Sequence, residues 1–220
     1  MNPLLDNTTL FSLMRTLQNA RKIVIMGHRG PDGDALGAAL GWAEYLHGLG
    51  KSAIVVMPNP FPDFLRWLPN SEKVVFYDHK RDVARHLIEG TDLICMLDFN
   101  SLHRLQEMGD VVANSKAERL MIDHHLSPDT TCAQTIISHP EMSSTSELVF
   151  RLIYQLGGYE TMTTQGASAL YCGMMTDTGG FTYNSNNPEI YTIISKLLEK
   201  GIDKDKIYRN VFNTYSVDRL

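Results

Sequence analysis

Six short apolar runs, each of strand length, punctuate the first two thirds of the chain: Lys22–Met26, Ala53–Met57, Val74–Tyr77, Leu93–Leu97, Leu120–Ile122 and Cys132–Ile137. They carry Val, Ile and Leu without polar alternation, the mark of strands buried on both faces. Stretches of helical period, such as Ala35–His47, lie between most of them. Strand–helix alternation builds a parallel sheet with helices packed on it. The expected fold is therefore α/β and doubly wound: a mostly parallel, five- or six-stranded sheet with helices on both faces.

After Ser143 the pattern becomes helical. Ser144 and Glu147 have capping-box spacing for a helix running to Leu156, and Thr163–Thr176, Pro188–Lys200 and Lys204–Tyr215 follow with helical period. No repeat, low-complexity tract or Pro/Gly/Ser linker divides the chain, so one domain over 1–220 is expected, with a helical part from about 143 onward. Ile207, Tyr208, Val211, Phe212 and Tyr215 form an amphipathic face, yet the sequence stops at Leu220 without a Gly or Pro stop signal. That pattern predicts a following segment.

The 220 residues carry a formal charge of −5, which excludes a basic coat for long nucleic acid. No apolar run approaches the roughly 20 residues needed to cross a bilayer. A chain of this size buries roughly 70% of its unfolded surface, enough for a full core. Cys95, Cys132 and Cys172 are odd in number, widely spaced and set in apolar stretches, which predicts reduced, buried thiols rather than a disulfide framework. The N-terminus has Asp6 and periodic Leu10, Met14 and Leu17, unlike a signal peptide. A soluble, cytoplasmic protein is expected.

The chemistry lies where Asp and His fall relative to the strands. Lys22–Met26 runs into Gly27-His28-Arg29-Gly30-Pro31-Asp32-Gly33-Asp34, Leu93–Leu97 ends at Asp98, and Leu120–Ile122 ends at Asp123-His124-His125. In a parallel sheet these ends share one edge, outside which ligands of open α/β sheets bind. Singly, each has a plain explanation: Asp34 as the N-cap of the helix from Ala35, Asp98 as turn chemistry. Gathered at one edge, unpaired carboxylates are costly, and a cation removes that cost. Imidazole and carboxylate without thiolate argue for a divalent ion such as Mn²⁺, with Mg²⁺, Co²⁺ or Zn²⁺ as substitutes. The glycine-rich turn suits two ions better than one, and Asp177, at a helix end before Gly179-Gly180, offers a further acid.

The segments His28–Gly37, Asp98, Asp123-His124-His125 and Thr176-Asp177-Thr178-Gly179 resemble the four ordered motifs of the DHH phosphoesterase family. The similarity is greatest to the bacterial branch that degrades very short oligoribonucleotides and removes the 3′-phosphate of 3′-phosphoadenosine 5′-phosphate. It implies one metal on His28, Asp32 and Asp98, and a second on Asp34, Asp98, His124 and Asp177, with Asp98 shared. It further implies that His125 contacts the scissile phosphate. Asp123 is expected to orient a histidine rather than bind metal. Arg104 reaches the site edge to bind phosphate, or else makes a surface salt bridge. The expected chemistry is in-line attack by a metal-activated water, with His125 assisting proton transfer.

His47, His79, His86, His103 and His139 are isolated and read as surface or helix-face residues. Gly33, Gly37 and Gly41 suggest close packing of the first crossover helix on the sheet. Arg29-Gly30 departs from what the resemblance leads one to expect beside the first histidine, and nothing resembles the family's DHH-associated substrate domain. The expected partner is a small phosphoester or short oligonucleotide, with no long duplex and no membrane; a homodimer stays open. Rival readings are a pyrophosphatase or exopolyphosphatase, a RecJ-like single-strand exonuclease, and a metal-stabilised binding domain without turnover.

Overall fold

The structure is a computed structural model that describes residues 1–213. Its sheet comprises β1 (Lys22–Met26), β2 (Ser52–Met57), β3 (Val75–Phe76), β4 (Leu93–Leu97), β5 (Glu118–Asp123) and β6 (Thr135–Ser138). The order is β3-β2-β1-β4-β5-β6, and every pairing is parallel. From β1 the chain builds outward through β2 to β3, then crosses to β4 and builds the other way. The strand order therefore reverses between β1 and β4, the crevice where doubly wound sheets place ligands.

Eight helices are described: α1 (Asn7–Asn19), α2 (Gly33–Gly48), α3 (Arg81–Glu89), α4 (Glu107–Asn114), α5 (Thr145–Gln155), α6 (Thr164–Asp177), α7 (Pro188–Glu199) and α8 (Lys204–Phe212). Alternate strand residues face opposite sides, as the period of two requires. Val24, Met26, Ile94 and Met96 pack with α3 and α4, whereas Ile23, Ile25, Cys95 and Leu97 join the core built with α1, α2, α5 and α6. None of the described helices is long and apolar enough to cross a membrane.

Several expected boundaries shift for local reasons. Strand β3 keeps only two residues, because Val74 ends the 3-10 turn Ser71–Lys73; Tyr77 lies past the strand yet still donates its N–H to the Met57 carbonyl at 2.9 Å. Strand β6 starts at Thr135, since Cys132 closes a turn on Asp129. Ser144 caps α5 by accepting the Glu147 N–H at 3.0 Å, but the Glu147 carboxylate turns to the Ser143 N–H and hydroxyl and to Arg151 instead of completing the box. Helix α8 ends at Phe212, and Tyr215 lies outside the described residues.

The glycines of α2 serve helix-on-helix packing rather than the expected contact with the sheet. A Cβ on Gly37 would lie 2.5 Å from the Ala169 carbonyl and 2.9 Å from the Gly173 nitrogen, so α2 and α6 touch backbone to backbone. Gly33 and Gly41 face Thr176 and Leu170 of the same helix. This contact brings the end of α6, which carries Asp177, beside the start of α2, which carries Asp34.

Candidate metal centre

The turn after β1 places two carboxylates by local rules. Asp32 Oδ1 accepts the N–H groups of Asp34 and Ala35, each at 3.0 Å, making Asp32 the N-cap of α2. Asp34, for which capping was the plain alternative, instead lies inside the first turn and is buried. The second oxygen of Asp32 stays available, 3.9 Å from His28 Nε2. His28 holds the Arg29 carbonyl with Nδ1 at 2.9 Å and turns Nε2 inward.

Asp98 follows β4 in the left-handed region, at φ +64°, with 2% of its surface exposed. Asp tolerates this conformation better than most residues, and a buried instance marks a functional constraint. Oδ2 lies 3.5 Å from His28 Nε2, and Oδ1 lies 3.6 Å from His124 Nε2. His124 leans Nδ1 on the Met142 carbonyl at 3.3 Å and also points Nε2 at Asp177 Oδ2, 3.6 Å away. The two histidines thus share one arrangement, with Nδ1 held by a carbonyl and Nε2 directed into the cluster, the usual posture of metal-binding imidazole.

Two three-residue groups result, His28–Asp32–Asp98 and Asp34–His124–Asp177. Ligand atoms about 2.1 Å from a shared ion sit roughly 3.0 to 3.6 Å apart, close to the 3.5 to 3.9 Å separations here. Burial pushes the carboxyls of Asp34 and Asp98 upward, Asp98 strongly, and the neighbouring carboxylates add to this at both. Asp177 is pushed up to about 6, first by burial and then by the Asp34 charge. A nearby cation would offset the cost of ionising these carboxyls together, and the O and N donor set fits hard-to-borderline divalent ions.

Helix α5 supplies contacts that the motifs did not reveal. Its first N–H groups, from Thr145 and Ser146, donate to Asp34 Oδ2 at 2.6 Å and Oδ1 at 2.8 Å. The Thr145 hydroxyl donates to Asp98 Oδ1 at 2.9 Å. One helix end therefore fixes a carboxylate from each group, where its dipole favours negative charge. The capping signal at Ser144 located this helix start, but nothing in the sequence said that it abuts the strand edge.

Asp123 is fully buried and binds His125 Nδ1 with Oδ1 at 2.7 Å, while its Oδ2 has no partner among the described residues. This bond raises the basicity of His125. His125 Nδ1 lies 3.8 Å from Asp98, so a third group, Asp98–His124–His125, also has ligating spacing. The Asp123 bond engages that nitrogen and leaves Nε2 of His125 for another contact. Arg104 is exposed and forms no salt bridge among the described residues; its charge slightly opposes protonation of His125. Arg29 turns to Asp78 at 2.9 Å. His47, His79, His86, His103 and His139 join none of the ligating groups among the described residues. The three thiols are free and buried, and burial pushes Cys95 and Cys172 up to about 12.

Comparison with known proteins places the chain in a family. The chain is 51% identical, over all of its length and 64% of the other chain, to a solved exopolyphosphatase-related protein from Bacteroides fragilis, with a TM-score of 0.97. A bifunctional oligoribonuclease and PAP phosphatase NrnA from Thermus thermophilus is 31% identical over 82% of this chain and 50% of that protein. A cyclic-di-AMP phosphodiesterase GdpP from Geobacillus thermodenitrificans is 27% identical over 87% of this chain and 30% of its own length. The exonuclease RecJ bound to manganese shares the fold at TM-score 0.54 and 16% identity, covering 96% of this chain and 57% of RecJ. The chain spans 50% and 30% of the length of these two curated relatives. The family profile "DHH family, N-terminal domain" matches residues 22–174, which include every ligating residue of the two groups but Asp177, and the chain belongs to the DHH phosphoesterase family.

Proposed function

We propose that the chain carries the catalytic centre of a metal-dependent phosphoesterase that cleaves short oligoribonucleotides, 3′-phosphoadenosine 5′-phosphate, or both. The observation that carries this reading is Asp98: buried, held in a left-handed conformation, and facing one histidine–carboxylate group with each oxygen. His28, Asp32 and Asp98 would hold one ion, and Asp34, Asp98, His124 and Asp177 the second. Four carboxylates balance two divalent charges. Manganese is the first choice, given the donor set and the manganese-bound RecJ relative. When bound, such a pair lowers the pKa of water toward about 7 and neutralises phosphate charge.

The protein's own groups then do the rest. Thr145 and Ser146 keep Asp34 from rotating, and Thr145 also fixes Asp98. Asp123 orients His125, whose Nε2 can donate to the scissile phosphate or protonate the leaving oxygen, a role typically worth about 10² to 10⁴-fold. Arg104, exposed, near enough for its charge to act on His125 and without a salt bridge among the described residues, supplies positive charge at the rim.

A substrate panel of pApA, 3′-phosphoadenosine 5′-phosphate, pyrophosphate and polyphosphate, with and without Mn²⁺, tests the reading. Turnover of either nucleotide substrate, abolished by chelation, is expected. Turnover of the inorganic substrates alone would replace this reading with the exopolyphosphatase one that the Bacteroides relative's name favours. Metal binding without hydrolysis of any of the four would leave a binding domain.

A further inference from the structure

Five consecutive polar residues, Ser143 to Glu147, are all buried at the corner that leads from β6 into α5. Burying polar groups in a row is costly unless each finds a partner. Their partners fall into two sets.

The first set consists of candidate ligands. The Met142 carbonyl holds His124 Nδ1 at 3.3 Å, the Thr145 and Ser146 N–H groups reach Asp34 at 2.6 and 2.8 Å, and the Thr145 hydroxyl reaches Asp98 at 2.9 Å. The second set is one ionic network. Glu147 Oε2 accepts both the Ser143 N–H, at 2.9 Å, and the Ser143 hydroxyl, at 2.6 Å. Its other oxygen accepts Arg151 Nε at 2.9 Å and Nη2 at 2.7 Å, one turn along α5. Arg151 Nη1 crosses to Glu189 Oε2 at 2.6 Å, in the first turn of α7, and Glu189 Oε1 takes the Asn2 N–H at 3.0 Å. The corner 142–146 thus joins a buried ion pair to three ligands.

Stability does not account for that pair. Glu147 and Arg151 are 1% and 4% exposed, and apolar residues of similar volume often replace a buried pair at no loss, because desolvation offsets the attraction. What apolar residues cannot supply is direction. The Arg151 fork fixes Glu147 Oε1, which leaves Oε2 aimed at Ser143, and both donors of Ser143 are then held at one point. Met142 and Thr145 lie one and two residues from that point, so planar peptide units pass any shift of Ser143 on to them.

We infer that Glu147 and Arg151 are positioning residues of the metal centre: they hold the corner 142–146 so that its carbonyl, N–H and hydroxyl groups set the directions of His124, Asp34 and Asp98. The inference rests on the metal-binding part of the reading above and is independent of the substrate. Among the described residues no hydrogen bond joins His28 or Asp32 to the corner. The ion at Asp34, His124 and Asp177 should therefore depend on the pair more than the ion at His28 and Asp32.

The test measures Mn²⁺ affinity by calorimetry, and Tm of the chelated protein, for the parent chain, Arg151→Met and the double variant Glu147→Leu/Arg151→Met. Removing the Arg151 charge would by itself favour a cation, so weaker binding by Arg151→Met runs against charge and reports displaced ligands. A loss of about 10- to 100-fold at one ion is expected. The double variant keeps the parent's net charge and leaves no unpaired carboxylate at Glu147, so its Tm should return close to the parental value. Its Mn²⁺ affinity should stay about tenfold or more below the parent's. The double variant also decides the matter where Arg151→Met alone fails to fold. Mn²⁺ affinity that follows Tm across the variants, or equals the parent's in both, overturns the inference and leaves the pair a packing element. Weakening confined to the ion at His28 and Asp32 overturns it as well. A parent chain that binds no Mn²⁺ overturns the metal-centre reading itself, and the inference with it.

Discussion

The two halves of the candidate metal centre are built in different ways. His28 and Asp32 come from one five-residue turn, and Asp32 is fixed by capping the helix it precedes, with its side chain 57% exposed. Asp34, His124 and Asp177 come from α2, the end of β5 and the end of α6. Asp34 is almost fully buried and is held by backbone N–H groups of a fourth element, α5. The contrast shows that local turn chemistry suffices for an exposed ligand, whereas a buried one must be supported by donors from elsewhere in the fold. Asp98 faces a histidine of each half, His28 at 3.5 Å and His124 at 3.6 Å.

The largest expected effect tests that sharing. Asp98→Ala should lose both ions and reduce hydrolysis about 10³-fold or more, since several kcal/mol of charge stabilisation depend on them. Manganese titration by calorimetry checks it, and one site retained at parental affinity would mean that the halves are independent.

Gly37→Val should damage the second half selectively. A side chain there meets the Ala169 carbonyl at 2.5 Å, so α6 must move away from α2. Overpacking of this kind costs about 1 to 3 kcal/mol, or several degrees in Tm for a chain of this size. The ion at Asp34, His124 and Asp177 should weaken more than the ion at His28 and Asp32. Equal weakening of both would show that the halves do not separate.

Thr145→Val keeps shape and backbone donors but removes the hydroxyl that binds Asp98. Loss of such a supporting contact typically costs 10- to 100-fold in metal affinity or activity. Turnover at saturating Mn²⁺ would separate the two effects.

The smallest effect concerns pH in the absence of metal. The folded chain holds Asp177 at about 6, with Asp34 and Asp98 also raised. Between the ordinary carboxylate range and about 6 it therefore binds more protons than the unfolded chain, and stability falls as pH rises through that window. Chelated protein should melt higher at pH 5 than at pH 7.5, and added Mn²⁺ should raise Tm most at the higher pH. A chelated Tm that climbs from pH 5 to 7.5 would show that these carboxyls ionise without strain.

Most of the fold could be seen in the chain because its signals are local. Unbroken apolar runs such as Leu93–Leu97 announce strands buried on both faces, and Ser144 and Pro188 mark helix starts by the chemistry of the first turn. The short β3 could not, since Val74–Tyr77 has strand composition throughout and loses its ends to a 3-10 turn and a crossover. In the candidate centre, the Asp and His residues stood out by their place after strands or at a helix end, and their division into two ligand sets was implied by the resemblance.

What the sequence by itself determined is the set of elements and the residues at one sheet edge, for periodicity, capping and charge type act within a few residues of each other. Only the tertiary structure decided that the glycines of α2 meet α6, and that the N-terminus of α5 grips both Asp34 and Asp98. Those outcomes depend on which surfaces meet across long stretches of chain, 47 to 112 residues for the grip of α5, where close packing and buried hydrogen-bond demand, not local propensity, set the result.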